Sequence, residues 1–151
     1  MVAIRPVRLE EADTLTQIAL AAKRHWGYPE RWIETWTPQL TFTPEYFKKN
    51  ESWAAIVDDK PAAFYTLLEA NDMASIENLW VMPEHMGKGI GKHLFLHAME
   101  VARHRGYKTL QLEADPHAVG FYEKMGMHQI GERRSEVDGQ PRVLPIMEIS
   151  L

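Results

Sequence analysis

The chain has 151 residues, no cysteine and a formal net charge of −4 at neutral pH. A chain of this length is the usual size of one domain and buries about 70% of the surface that its unfolded form exposes, so we expect a self-sufficient core. The lack of cysteine excludes disulfides, thiolate metal sites and a cysteine nucleophile. The negative charge argues against a nucleic-acid partner. With no apolar run of signal-peptide or membrane-spanning type, we expect a cytoplasmic protein without a membrane partner.

The first half of the chain is predicted to hold four strands and one long helix. Apolar residues recur at helical spacing between residues 10 and 25, and Gly27 ends this amphipathic helix. Asp58 and Asp59 form a turn between two strands. The predicted elements are, in order, an edge strand at 3–7, a helix at 10–25, short helices after Pro29 and Pro44, and strands at 52–57, 61–69 and 75–82.

The second half is predicted to alternate helices with strands. Asp115 followed by Pro116 is typical of a helix start, with the aspartate as N-cap and proline at the first helical position. The predicted elements are a helix at 89–105 stopped by Gly106, a strand at 110–114, a helix ending at Gly126, and strands at 127–134 and 142–150. Hairpins first and β-α-β units later predict an α+β fold whose sheet has mixed strand directions.

The strongest functional signal is the turn between the strand at 75–82 and the helix at 89–105, which reads Met86-Gly87-Lys88-Gly89-Ile90-Gly91-Lys92. Glycines let a backbone approach a phosphate closely, and a helix N-terminus adds partial positive charge. A P-loop would need a glycine in place of Met86, and a dinucleotide-binding turn would need its third glycine in place of Lys92 or Leu94. We therefore predict a pyrophosphate-binding loop of another kind.

Two motifs resemble the GNAT acetyltransferase superfamily. The turn is similar to its coenzyme A loop, Q/R-x-x-G-x-G/A, except that Met86 replaces Gln or Arg. This departure removes one side-chain contact to the phosphates and leaves the backbone cradle intact. The run from Asp115 to Met127 resembles the second signature, N-x-x-A-x-x-F-Y-x-x-x-G-F, with Asp for Asn and Met for Phe at its two ends. The motifs occur in the family's order, and together with the order of strands and helices the resemblance covers nearly the whole chain.

The resemblance implies a fold and a cosubstrate. The fold would be a single GNAT domain over residues 1–151, with a mostly antiparallel sheet of about seven strands, splayed centrally and flanked by helices. Acetyl-CoA would be the acetyl donor, with no metal, and by family analogy the exposed late strands favour a homodimer. The residues expected to bind acetyl-CoA are Leu79, Trp80, Val81, Met86, Gly87, Lys88, Gly89, Ile90, Gly91, Lys92, Asp115 and Tyr122.

Two residues are candidates for moving protons. Tyr122 matches the family tyrosine that serves as general acid, although its helix also predicts a core position for the ring. Glu77 is the candidate general base, because strand alternation would put its side chain on the same face as Leu79 and Val81. A solvated strand glutamate is an equal alternative. The less favoured bases are Glu113, His117 and His25.

The aromatic segment 26–50 borders the acceptor pocket in the family. Trp32 and Trp36 are spaced to share a helical face. The segment holds only spaced acidic residues, so we predict a small amine with an apolar or aromatic body rather than a polyamine or basic peptide. A structural lid is the alternative. The candidate acceptor-binding residues are His25, Trp26, Trp32 and Trp36.

Other functional classes fit the sequence less well. His93, His97, Glu100 and His104 share a helical stripe, but no H-E-x-x-H motif is present, and a solvated helix face is the simpler interpretation. A non-catalytic acetyl-CoA-binding sensor is the main alternative to an acetyltransferase that uses direct attack of the amine on the thioester. Tyr122 favours the enzyme. A nucleotide-binding domain is disfavoured by the failed motif registers.

Overall fold

The computed structural model describes residues 2–151, which form one seven-stranded sheet flanked by helices. The strand order is β1-β2-β3-β4-β5-β7-β6, with β4 and β5 parallel and every other neighbouring pair antiparallel. The strands are β1 Ala3–Pro6, β2 Glu51–Val57, β3 Lys60–Ala70, β4 Met73–Val81, β5 Thr109–Glu113, β6 His128–Val137 and β7 Gln140–Ser150. The α-helices are α1 Ala12–His25, α2 Glu30–Trp36, α3 Pro44–Lys49, α4 Ile90–His104 and α5 Val119–Lys124. The predicted fold class is confirmed.

The helices cover opposite faces of the sheet. Leu94 and Phe95 of α4 pack in one core with Tyr65 of β3. The adjacent residue of β3, Phe64, points to the other side and packs with Leu15 and other residues of α1. This change of face between neighbours is the period-two geometry of a strand. None of the helices within residues 2–151 is long and apolar enough to cross a bilayer.

The last hairpin is longer than the sequence interpretation allowed. The predicted end of β6 at residue 134 is wrong, since β6 runs to Val137 and β7 begins at Gln140. The two-residue turn consists of Asp138 and Gly139, both with positive φ, at 52° and 73°. An Asp-Gly pair is a strong signal for such a turn because both positions must adopt left-handed backbone angles. β6 forms one outer edge of the sheet, and the homodimer expected through these strands stays a prediction.

The centre of the sheet splays. β4 and β5 are paired only from Ala74 and Leu110 to Ile76 and Leu112. Beyond this point β4 continues to Val81 along β3, whereas the end of β5 pairs with β7. A gap therefore opens between the two parallel strands, directly before the glycine-rich turn.

Candidate active site

The gap between β4 and β5 holds a cavity of about 620 Å³. Its walls come from β4, the glycine-rich turn, the end of β5 and α5, all of which meet where the sheet splays. Ten of the predicted coenzyme-binding residues line it: Leu79, Trp80, Val81, Met86, Gly87, Gly89, Gly91, Lys92, Asp115 and Tyr122. Lys88 is exposed and outside the lining, and Ile90 is buried in the core beneath the turn, where it anchors the start of α4.

The three glycines of the turn are required for two different structural reasons. Gly87 and Gly89 have φ of 78° and 81°, and a Cβ placed on either would meet nothing within 4 Å. Their backbone is therefore open to a ligand, and Gly89 is also the N-cap of α4. Gly91 is different, because its Cβ would lie 3.4 Å from the ring of Phe121. Two glycines expose backbone N–H groups at a helix N-terminus, and the third lets α5 pack closely.

Tyr122 is buried in the wall of the cavity, with 7% of its surface exposed. Its ring contacts Phe121 and Phe95, with centroids 5.1 and 6.1 Å away. Burial, together with the negative charge of Asp115, raises the pKa of Tyr122 well above its usual value. The hydroxyl is therefore protonated at neutral pH.

Glu77 lies in a β-bulge, and this corrects the interpretation based on strand alternation. Thr66 pairs with Asn78 and Leu67 pairs with Ile76, so Glu77 is the extra residue of β4. Leu79 and Val81 pack toward the core under α4. Glu77 instead accepts a hydrogen bond from Tyr46 of α3, next to Asn78, and it does not share a face with Leu79 and Val81. Glu77 still lines the cavity.

A hydrogen-bonded network supports the bulge. Asn78 donates to the Tyr46 hydroxyl at 2.9 Å and accepts from Trp80 Nε1 at 3.0 Å. Burial, and then the bond to Glu77, raises the pKa of Tyr46 well above its usual value, so Tyr46 remains a donor to the carboxylate. Tyr46 and Asn78 were not among the predicted site residues. Nothing local in the sequence marks them, because the network forms only when α3 lies against β4.

Asp115 is the N-cap predicted from the sequence, since its side chain accepts a hydrogen bond from the His117 backbone at 2.9 Å. It also pairs with Lys23 of α1 at 2.8 Å and accepts from the Tyr28 hydroxyl at 3.0 Å. Burial opposes ionisation, but the charge and hydrogen bond of Lys23 and the bonds from His117 outweigh it and lower the pKa of Asp115 to about 2. The sequence interpretation missed Lys23, although a lysine on the apolar stripe of α1 was a usable signal.

A second cavity of about 450 Å³ adjoins the first and shares Glu77, Trp80, Glu113 and Asp115 with it. Trp36 lines this second cavity, while Trp26 lines the first.

The other two predicted acceptor residues line neither cavity. Trp32 donates to Asp138 at 3.2 Å, and His25 lies edge-on to Trp26. Segment 26–50 itself carries no cluster of acidic residues, as expected. The expectation is wrong for the second cavity as a whole, because other elements bring four acidic side chains to its wall: Glu77, Glu113, Asp115 and Glu136.

The histidine stripe of α4 does not converge on a common point. His97 is hydrogen-bonded to Tyr65 at 2.7 Å, and His104 pairs with Glu100 at 2.6 Å. Within the described residues 2–151, no group of three or more acidic or histidine side chains is arranged to hold a metal.

The family model described as the acetyltransferase (GNAT) family matches residues 15–127, three quarters of the chain. The chain belongs to the GNAT family. The resemblance of the two sequence motifs is thereby confirmed, and the splayed β4 and β5 belong to a GNAT domain.

Individual GNAT proteins are similar to this chain. The peptidyl-lysine N-acetyltransferase YjaB of Salmonella typhimurium is 36% identical over 97 residues, which are 64% of this chain and 62% of that protein. The GCN5-related N-acetyltransferase from Rhodopseudomonas palustris is similar in structure, with a TM-score of 0.84 and 23% identity over 99% of this chain and 95% of that chain. The PaiA N-acetyltransferase of Thermoplasma acidophilum, in complex with coenzyme A, has a TM-score of 0.79 and 23% identity over 100% and 99%. Because both structures are less than 25% identical to this chain, they establish its fold alone.

The depressed pKa of Asp115 predicts acid sensitivity in this GNAT domain. A carboxyl whose folded pKa is about 2, against 3.8 ordinarily, contributes stability above pH 3.8 that is lost as the pH falls toward 2. After allowance for partial solvent screening, we expect the free energy of unfolding to fall by about 1–2 kcal/mol over this window on account of Asp115. Urea unfolding at pH 5 and pH 2.5 measures the change.

The matched variants for this test are Asp115→Asn and Asp59→Asn. Asp59 is exposed in the β2–β3 turn, so its replacement should preserve the wild-type pH dependence. Asp115→Asn should be less stable at pH 5 and should lose less stability on acidification. Equal losses in the wild type and Asp115→Asn would show that Asp115 makes no such contribution.

Proposed function

We propose that the chain is an N-acetyltransferase that moves the acetyl group of acetyl-CoA to a primary amine by direct attack on the thioester. The observation that carries this proposal is a single cavity lined by the glycine-rich turn, the unpaired edge of β4, Tyr122 and Glu77. An amide-forming reaction needs an anion cradle for the donor, a proton donor for the thiolate and a proton acceptor for the amine, and this cavity offers a candidate for each.

The donor would be held mainly by backbone groups. The open N–H groups at Gly87 and Gly89 and the N-terminus of α4 suit the pyrophosphate, with Lys92 adding a full charge. The edge of β4 at Leu79–Val81 has lost its pairing with β5, so its backbone is available to the pantetheine arm and thioester. A backbone N–H of this edge would stabilise the oxyanion that develops on the thioester carbonyl.

The protons would move between two residues on the cavity wall. As the amine nitrogen attacks the carbonyl carbon, Glu77 accepts a proton from that nitrogen, directly or through a water molecule. When the carbon–sulfur bond breaks, Tyr122 gives its proton to the departing thiolate. The products are the acetylated amine and free coenzyme A, and each residue regains its starting state by exchange with solvent.

The acceptor would be a small amine with an apolar body, since two of the four acids on the wall of the second cavity are already paired with cations. Trp36, Trp80 and Leu144 give the second cavity an apolar wall, and this cavity meets the first at Glu77. The Salmonella relative is named for peptidyl-lysine, so a lysine side chain of a protein is the competing acceptor class.

An amine screen that detects the free thiol of coenzyme A tests the proposal. The screen should contain small aromatic and aliphatic amines, polyamines and lysine peptides. We expect steady thiol release with small amines. Acetyl-CoA binding by calorimetry without thiol release for any amine would favour a sensor module. Selective turnover of lysine peptides would show that the acceptor is a protein lysine and not a small amine.

Glu77→Gln is the test of the proposed base. We expect kcat/KM for the amine to fall about tenfold, less than the 10²–10⁴ of a direct base, because a relayed water can still pass a proton to solvent. Acetyl-CoA affinity should be unchanged. Glu45→Gln is the matched control, since it removes an exposed carboxylate from α3 beside Tyr46. If Glu77→Gln is as active as Glu45→Gln while His117→Gln is impaired, the base is His117.

A further inference from the structure

Asp115 is shared by two buried cations at the boundary of the two cavities. Its carboxylate is 2.8 Å from Lys23 Nζ and 3.7 Å from Arg142 Nη2. The side chains of all three residues are only 10–11% exposed. The formal charge of this trio is therefore +1. Arg142 comes from β7 and was not predicted from the sequence.

The surplus charge belongs to Arg142. The shorter pair is Lys23 with Asp115, whereas Arg142 lies beyond hydrogen-bond distance of that carboxylate. Among residues 2–151, no second carboxylate lies within 4.0 Å of Arg142. Burial, together with the repulsion from Arg142, lowers the pKa of Lys23 despite its pairing with Asp115. Since a buried charge without a full partner is costly, the arrangement favours an additional anion.

The aromatic rings of the acceptor region orient these cations. The Arg142 guanidinium lies 4.7 Å from the centroid of Trp36 and 5.1 Å from that of Tyr28. Lys23 Nζ lies 4.2 Å from the centroid of Trp36. These rings already make cation–π contacts with the protein's own residues, so they do not form a free cage for a cationic substrate. An arginine held against aromatic rings can still offer its planar N–H fork to a flat anion.

Arg142 lines the second cavity, in which Glu77 is also found. A molecule in this cavity would meet the Glu77 carboxylate where the cavity joins the acetyl-transfer site and the Arg142 guanidinium elsewhere on its wall. Asp115 and Glu113 on that wall are already paired with cations. Because a guanidinium fork matches a carboxylate in shape and charge, an amine that also carries a carboxylate fits both groups.

We infer that Arg142 binds a carboxylate of the acceptor, so that the substrate is an amino acid or another small molecule with an amine at one end and a carboxylate at the other. This inference rests on the proposed acetyl transfer and narrows its substrate class. Arg142 is then a specificity residue for the acceptor and has no part in binding acetyl-CoA.

Matched pairs of amines test the inference. One pair is 4-(aminomethyl)benzoate and 4-(aminomethyl)benzamide, and the other pairs are ω-amino acids of increasing length with their amides. We expect the wild type to have a kcat/KM at least tenfold higher for the better carboxylates than for their amides. Arg142→Gln should abolish this preference by lowering only the carboxylate values, and Arg142→Lys should restore part of it because a charge remains without the planar fork.

Arg134→Gln is the control, because Arg134 is 82% exposed on β6 and pairs with Glu132. It should retain the wild-type preference. A carboxylate-to-amide ratio near one in the wild type, or a ratio unchanged in both Arg142 variants, would overturn the inference while leaving acetyl transfer intact. Turnover of lysine peptides alone would also overturn it. Absence of thiol release with every amine, with acetyl-CoA still bound, would instead count against the proposed function.

Discussion

Tyr122→Phe should lower kcat by about 10²-fold, a typical contribution of a general acid, with little change in acetyl-CoA affinity. The ring remains to pack against Phe95 and Phe121, so only the hydroxyl is lost. Because burial and the charge of Asp115 raise the pKa of Tyr122, the wild-type hydroxyl is protonated across the physiological range and its loss should be felt at every pH from 6 to 9.

Pre-steady-state measurement of thiol release gives the rate of the chemical step. Thermal unfolding and calorimetry with acetyl-CoA show whether the fold and the donor site are preserved. If the chemical step is as fast in Tyr122→Phe as in the wild type, the residue only packs the core, and the thiolate leaves with a proton from water.

Gly89→Val should weaken acetyl-CoA binding by about 10²-fold. The branched side chain would occupy the open space above the turn, and the backbone could no longer offer its N–H groups at close range; charge-assisted hydrogen bonds of this kind contribute about 1.5–3 kcal/mol each. The amine KM should change far less, because the second cavity does not include the turn. Calorimetry with acetyl-CoA measures the affinity directly.

Valine at a positive φ also strains the backbone, so the control must carry the same strain. Gly106, at the other end of α4, has φ of 87° and similarly open surroundings. Gly106→Val should lose comparable stability but keep its affinity for acetyl-CoA. If a folded Gly89→Val protein and Gly106→Val bind acetyl-CoA with equal affinity, the turn does not bind acetyl-CoA.

The parts of the site that could be predicted from sequence are those that depend on short stretches of backbone. The turn at residues 86–92 and the cap at Asp115 are local, since the backbone conformation follows from glycine, proline and capping chemistry within a few residues. The same holds for the end of α4 at Gly106. Tyr122 was named only through the resemblance to the family motif that follows this cap, and its role as general acid stays a prediction.

The parts that could not be predicted depend on pairing between distant segments. The bulge at Glu77 is a property of β3 and β4 together, so counting alternate residues along β4 gave the wrong face. Lys23 and Asp115 are 92 positions apart, and Arg142 joins them only because β7 inserts between β5 and β6. The spacing of apolar residues within a single helix or strand cannot predict contacts of this kind.

Because position 77 is the extra residue of the bulge, it is not subject to the packing constraints on its neighbours in β4. Ala74 and Ile76 before it and Leu79 and Val81 after it all pack in the core under α4, so these positions accept only side chains of suitable volume. The extra residue has no place in the β3 ladder and is exposed. Its side chain can therefore be exchanged in a laboratory library without repacking the core or altering the glycine-rich turn. Under the proposed reaction, variation at position 77 would change the acceptor half of the reaction while the acetyl-CoA-binding turn keeps its structure.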